Sequence, residues 1–496
     1  MSGAAAQTTV QRQASACGLC TAGAEASKPT QATTTQKPWI AFDVKSRMRV
    51  LQRARRLMAE HAMKFANEIA PTLVRTKADT LVTEVLPLLD ACRFLERNAA
   101  KILAPRKLGF SGRPLWLQGV EAEVWREPLG HILVIGPANF PLFLAGAQVL
   151  QALAAGNRVT WKPGAGGRAV AERFAHTLYE AGLPAGTLTV TDDTVAAAKT
   201  ALAALPDKVV FTGSQASGSA VLNELAKSAT PAVMELSGAD AIIVMPSADP
   251  VLVVEAVAFG LCLNGGAVCM SPRRLFASAA MLDRLRPRLL EALIAVKPTK
   301  LDDSTASRLR AMIEEAQRAG ANVHGAVAPE AQQPLVIDGS SEMTIAQSDL
   351  FAPVITLIET PSLLHLQDAY DRCPYALTAA IFCGAEDIAK ARMLAKLLRA
   401  GTVLINDVIA PTADARVPFG GRGASGYGVT RGTEGLLEMT AVKTLLVRKR
   451  GSRRHYAATT NADVPMFMGL IRASHGRNWS ERIAGILQLI SSGKRR

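Results

Sequence analysis

What most constrains this chain is an alternation of short apolar runs with helix-length segments, the runs ending in glycine turns or short polar breaks. His131-Ile-Leu-Val-Ile-Gly136 reads as a buried strand closed by a glycine turn, and a helix follows from about Pro141 to near Gly156. Asn157-Arg-Val-Thr-Trp-Lys162 is the next strand, and Thr187-Leu-Thr-Val190 is a short one. Lys208-Val-Val-Phe-Thr-Gly213 is another, with Gly213 to Gly218 opening a helix. Alternating units of this kind build a parallel, doubly wound α/β sheet. A second run, from Ala241-Ile-Ile-Val-Met245 through Leu404-Ile-Asn406, predicts another α/β domain. No internal repeat accompanies them.

A chain of 496 residues is too long for one small core and suggests two or three domains. Hydrophobic residues make up 49% and charged ones 20%, which permits a large buried interior, while 5% aromatics speaks against a β-sandwich. Before the alternation, Asp43 to Ala104 carries apolar residues at helical spacing, and Trp116 to Trp125 alternates as a strand does. Residues 1–37 are rich in Ala, Thr, Gln and Ser and read as a disordered arm. Its Cys17 and Cys20 pair lacks the second pair or the nearby His that a metal site needs.

The net charge of +14 raises the question of nucleic acid. Residues 448–496 hold eleven Lys and Arg against two acids, and residues 1–37 hold three against one, which leaves +3 for the body. That is ordinary for a soluble domain, so no nucleic-acid partner is expected. Seven scattered cysteines, with no N-terminal apolar stretch, read as reduced thiols in a cytoplasmic protein. Ile132 to Gly156 is long enough to span a bilayer, but its Gly136-Pro-Ala-Asn-Phe-Pro141 turn would leave backbone groups unpaired in lipid. Asp249 and Glu255 interrupt a second such stretch, Ala241 to Met270.

Four features carry chemistry. Asn139 stands in a Gly/Pro-shaped turn directly after a strand, where its side-chain NH₂ can serve as an oxyanion donor or bond its own backbone. Phe211-Thr-Gly-Ser-Gln-Ala-Ser-Gly218 runs a strand into a glycine-flanked helix start, which suits a pyrophosphate. Glu235, in Met234-Glu-Leu-Ser-Gly238, is a carboxylate among apolar neighbours whose burial would raise its pKa toward that of a general base. Cys269 follows Leu263-Asn-Gly-Gly-Ala-Val268, a glycine-bearing loop able to present a thiolate, or simply to pack a thiol.

In this order the motifs resemble the aldehyde dehydrogenase superfamily. Arg126-Glu-Pro-Leu-Gly130 leading into Asn139 is similar to its approach to the oxyanion asparagine, and Trp161-Lys162-Pro163 to its cofactor-ribose motif. The 34-residue spacing from Glu235 to Cys269 matches its distance from base to nucleophile. Asp349-Leu-Phe-Ala-Pro-Val354 resembles its Glu-x-Phe-Gly-Pro-Val segment, and Pro418-Phe-Gly-Gly421 its C-terminal motif. The likeness runs from about Phe42 to Lys449.

The resemblance implies a Rossmann-type cofactor domain (38–115 and 131–235), an α/β catalytic domain (236–415) and a small oligomerisation β-extension (116–130 and 436–449). It makes Cys269 the nucleophile, Asn139 the oxyanion donor and Glu235 the base. Lys162, Gly213, Ser214, Gly218, Leu236, Asp349 and Phe351 would hold NAD or NADP, and no metal is implied. An aldehyde would be the substrate and a homodimer or homotetramer the assembly. The chain departs from the pattern at Ala138, Ala267, Ser237 and Asp349. Ala165 stands where many NAD-preferring relatives carry Glu, so NADP is expected to be accepted too, with Arg168 attracting its 2′-phosphate.

Two alternatives are a CoA-acylating aldehyde dehydrogenase or acyl-CoA reductase, which does not need Glu235, and an inactive scaffold, which needs none of the three reacting residues. The tail 450–496 lies outside the resemblance. Its apolar residues at helical spacing read either as an interfacial helix on an anionic membrane surface or as a helix docked on protein.

Overall fold

The computed structural model describes residues 38–69, 73, 75–451 and 453–493. The arm 1–37, with Cys17 and Cys20, lies outside them.

The expected alternation builds a six-stranded sheet in the order Gly426–Tyr427, Ala232–Glu235, Lys208–Thr212, His131–Ile135, Arg158–Lys162, Leu188–Val190. Five of these strands run parallel, and Gly426–Tyr427 joins antiparallel to Ala232–Glu235. That last strand comes from far along the chain, which local periodicity does not reveal. The second run forms a seven-stranded sheet in the order Asn322–His324, Leu335–Gly339, Val354–Glu359, Pro272–Ala277, Asp240–Val244, Thr378–Phe382, Thr402–Ile405. All its pairs are parallel except the first.

The membrane-length stretch is a buried strand, the Gly136–Pro141 turn, and the helix Phe143–Ala155, which is buried along almost its whole length. Nothing within that helix caps its first turn. Glu84 does so instead, its Oε2 accepting from Leu142 N–H and Phe143 N–H at 2.8 Å each. Glu84 sits in a single π-helical turn, Leu81–Val85, between Lys77–Thr80 and Leu86–Ile102, and pairs with the Arg75 guanidinium. Breaking a buried pair of this kind costs about 3–5 kcal/mol. Here the loss would fall on the helix that follows Asn139. Among the described residues no helix is long and apolar enough to cross a membrane.

The β-extension differs from expectation at one edge. Leu115–Leu117 is a 3-10 turn, and the strand is Val120–Pro128, because pairing starts only where Thr440–Arg448 runs beside it. These two strands are antiparallel over nine residues, and a third, Arg106–Leu108, joins them from the segment expected in the cofactor domain. The tail holds two helices, Val464–His475 and Trp479–Gly493, which pack together where Gly469 and Ala473 meet Gly485. The first of them also reaches the Leu115–Leu117 turn. Ile483, Ile486, Leu487 and Ile490 stay exposed.

Candidate active site

The Gly136–Pro141 turn brings Asn139 to the loop that precedes Cys269. Asn139 Nδ2 donates to the Ala267 carbonyl at 2.9 Å, while its Oδ1 accepts from Phe140 N–H at 3.1 Å. In return, Asn264 Nδ2 donates to the Asn139 carbonyl at 3.2 Å, and Arg75 Nη1 reaches the same oxygen at 3.4 Å. One hydrogen of the Asn139 NH₂ is therefore engaged and the other is available.

The loop itself is shaped by three successive left-handed residues, Asn264, Gly265 and Gly266. Gly266 has φ 81°, and a Cβ there would lie 2.8 Å from Pro353 N, so the loop presses against the segment that carries Phe351. Arg273, buried, clasps the same contact by donating to the Gly266 carbonyl at 2.7 Å and to the Ala352 carbonyl. Val268 then enters the core, and Cys269, half-buried, lines a cavity of about 1020 Å³. Burial pushes its thiol up to about 12, and Asp240 and Glu235 push the same way. Arg431 and the Cys269 N–H oppose them.

Glu235 ends its strand inside the same cavity and is buried. Desolvation raises its pKa above the usual carboxylate range, as expected of a base. Three neutral donors steady the carboxylate. Thr212 Oγ1 donates at 3.0 Å and Gln148 Nε2 at 3.2 Å to Oε2, and Thr430 Oγ1 donates to Oε1.

Of the residues expected to hold the cofactor, Gly213, Ser214, Leu236, Asp349 and Phe351 line the cavity with Asn139, Glu235 and Cys269. Gly213 N–H donates to the Glu235 carbonyl at 3.0 Å, which ties this turn to the base. Ser214 caps the helix Gln215–Leu225, its Oγ accepting from Ser217 N–H at 3.3 Å. Gly218 faces inward instead. A Cβ there would lie 2.6 Å from Leu236 Cδ2, so this glycine lets the helix lie on the strand end rather than bordering the cleft. Lys162 lies outside the cavity lining, buried at the end of its strand. Burial lowers its pKa, and Asp193 and Asp192 hold it up. No ion pair engages its ammonium among the described residues, as a lysine reserved for a ligand requires. With the open helix start beyond Ser214, the donor set fits a dinucleotide.

Two groups expected at the cofactor have ionic partners. The Asp349 carboxylate, expected on the ribose, is paired with Arg308 at 3.2 Å. Arg168, expected to attract a 2′-phosphate, is held by Glu172 at 2.7 Å and Asp192 at 3.0 Å.

Sequence reasoning passed over Gln148, Gln151, Thr212, Arg273, Thr430 and Arg431. The two glutamines had a legible signal. They lie three apart within an otherwise apolar helix, and buried amides need partners. Thr430 and Arg431 had none, since the partners that tie them to Glu235 and Gln151 are nearly two hundred residues away or more.

Residues 15–445 match the sequence profile of the aldehyde dehydrogenase family. The chain is 30% identical over 447 residues to a vanillin dehydrogenase of Corynebacterium glutamicum, covering 84% of this chain and 88% of that one. It is 28% identical over 415 residues to a 4,4'-diapolycopene aldehyde oxidase of Methylomonas sp, covering 81% and 77%. Its fold superposes on a Mycobacterium tuberculosis aldehyde dehydrogenase complexed with NAD+ with a TM-score of 0.77, at 25% identity and 85% and 89% coverage.

Proposed function

The chain belongs to the aldehyde dehydrogenase family, whose members oxidise aldehydes with NAD(P), and we propose how its own residues carry that reaction. The Cys269 thiolate attacks the aldehyde carbon, and the carbonyl electron pair moves to oxygen. Asn139 Nδ2–H and the Cys269 N–H receive that oxyanion. NAD(P)+, when bound, supplies the hydride acceptor, and the carbon is left as a thioester on Cys269. Glu235 removes a proton from water, whose hydroxide adds to the thioester and expels the Cys269 thiolate, leaving the carboxylic acid, and the proton on Glu235 then passes to solvent. Lys162 and Ser214 hold the ribose and pyrophosphate, and Phe351 stands at the nicotinamide end.

The observation that carries this reading is the convergence of Asn139, Glu235 and Cys269 on one cavity. The test is NAD(P)H formation from an aldehyde panel of rising chain length. Cys269→Ala should abolish it and Cys262→Ala should not; turnover surviving in Cys269→Ala overturns the assignment. NAD and NADP are both accepted, with NAD favoured by the acids around Arg168. Cofactor titration decides this, and an NADP preference refutes it.

The exposed edge strand Thr440–Arg448, with Val442 and Leu446 facing outward, supports an arm that pairs across subunits. Light scattering should give a dimer or tetramer. Exposed apolar side chains on a tail of net +7 support contact with an anionic membrane surface. Deleting 450–496 should then abolish co-sedimentation with phosphatidylglycerol vesicles, and unchanged binding would end that reading.

A further inference from the structure

Arg431 lines the cavity with Cys269 and Glu235, and the reaction above gives it no role. It is only 5% exposed. Its guanidinium lies 4.5 Å from the centroid of the Phe419 ring and donates through Nη1 to the Thr412 carbonyl. Its backbone has φ 60° and ψ 175°. That region is close to glycine-only and costs about 1–3 kcal/mol for any other residue, so it persists only where the surroundings enforce it.

The enforcement is visible. Arg431 N–H donates to Gln151 Oε1 at 3.1 Å, and Gln151 Nε2 reaches the Gly432 carbonyl at 3.4 Å. Gln151 stands on the buried helix that follows Asn139. Both ends of its amide thus hold the turn in its strained form. The same turn aims Thr430 at Glu235 and Arg431 into the cavity.

The charges around Cys269 give this expense of strain a purpose. Glu235 faces it from the strand Ala232–Glu235 and Asp240 from the strand Asp240–Val244, and both disfavour a thiolate. Asp79, Asp90 and Asp414 also line the cavity, Asp90 and Asp414 paired with Arg93 and Arg416, and buried Arg273 and Arg274 face Asp240. Of the two cations in the lining, Arg308 is committed to Asp349. Among the described residues no carboxylate is bonded to Arg431, and the groups it faces are Glu235 and Cys269.

We propose that Arg431 is the charge-balancing residue of the active site, the fixed cation that allows Cys269 to ionise beside two carboxylates. The proposal rests on Cys269 being the nucleophile. It assigns Arg431 no bond-making step, and its action is electrostatic, on the free enzyme before substrate arrives.

The test is the pH dependence of Cys269 alkylation by iodoacetamide in the full-length enzyme, read at the Cys269 peptide by mass spectrometry. Arg431→Met should move the midpoint up by at least about one pH unit, which is tenfold slower alkylation on the rising limb. Arg431→Lys, which keeps the charge, should stay much nearer the wild type. If the Met variant does not fold, Arg431→Gln keeps a donor for the Thr412 carbonyl without the charge and should show the same upward shift. A folded uncharged variant with an unmoved midpoint overturns the proposal. Turnover surviving in Cys269→Ala would instead overturn the assignment of the nucleophile, so the two failures are distinguishable.

Discussion

On the cofactor side of the site, charges come in exposed pairs: Arg168 with Glu172 and Asp192, and Arg308 with Asp349. At the reacting end they are buried, with Glu235 and Asp240 among Arg431, Arg273 and Arg274, and of these cations Arg431 is the one that acts on Cys269. An exposed pair contributes about 0–1 kcal/mol and is screened by salt. A buried charge in a dry cavity acts on its neighbours with far less screening, so small changes there move pKa values and rates together. The difference teaches that affinity and preference are adjustable at the wet side, whereas the dry side is poised and sensitive.

The largest effect expected from this contrast is at the nucleophile. Cys269→Ala should lower kcat/KM by at least about 10⁴-fold in an NADH-formation assay, with cofactor binding by fluorescence quenching retained. Next, Asn139→Ala should cost about 10²–10³-fold in kcat while the KM for NAD stays within about threefold. Equal losses in both parameters would place Asn139 in the scaffold rather than at the oxyanion.

A pH experiment sharpens the dry side further. Burial holds Asp240 protonated up to about 7, against an ordinary value of 3.8. A carboxyl raised in the folded state stabilises the fold below its unfolded pKa, and that contribution is lost as pH rises through the folded value. Thermal melting of the wild type should therefore fall between about pH 4 and 7 relative to Asp240→Asn, whose own curve lacks this slope. Parallel curves would show that Asp240 does not titrate there.

The wet side should respond least. Asp192→Asn should raise the NADP-to-NAD ratio of kcat/KM by about tenfold or less, by removing one of the two acids that hold Arg168, and the gain should shrink in 0.5 M salt. A salt-independent gain would mean that the 2′-phosphate meets buried groups, which would erase the contrast between the two sides.

Much of this was legible in the residues themselves. The runs His131–Ile135, Arg158–Lys162 and Lys208–Thr212 are apolar enough to read as buried strands, and they pair in parallel. The ordered positions of Asn139, Glu235 and Cys269 pointed to one site, and all three line one cavity. The packing of Gly218 was not legible because a glycine that lets a helix lie on a strand looks, in sequence, like one that admits a phosphate. The pairing of Asp349 was not legible because its partner, Arg308, lies 41 residues away on another element.

By itself, then, the sequence determined the α/β class and the family, and it picked out the residues that line one cavity. Periodicity and motif order are local properties, carried by each segment wherever it packs. Only the tertiary structure decided the charge around those groups: Gln151 holding Arg431 in a glycine-like backbone, Thr430 on Glu235, and Asp240 beside Cys269. Burial and Coulomb interactions depend on distances between residues far apart in the chain, and those distances exist only once the chain has folded.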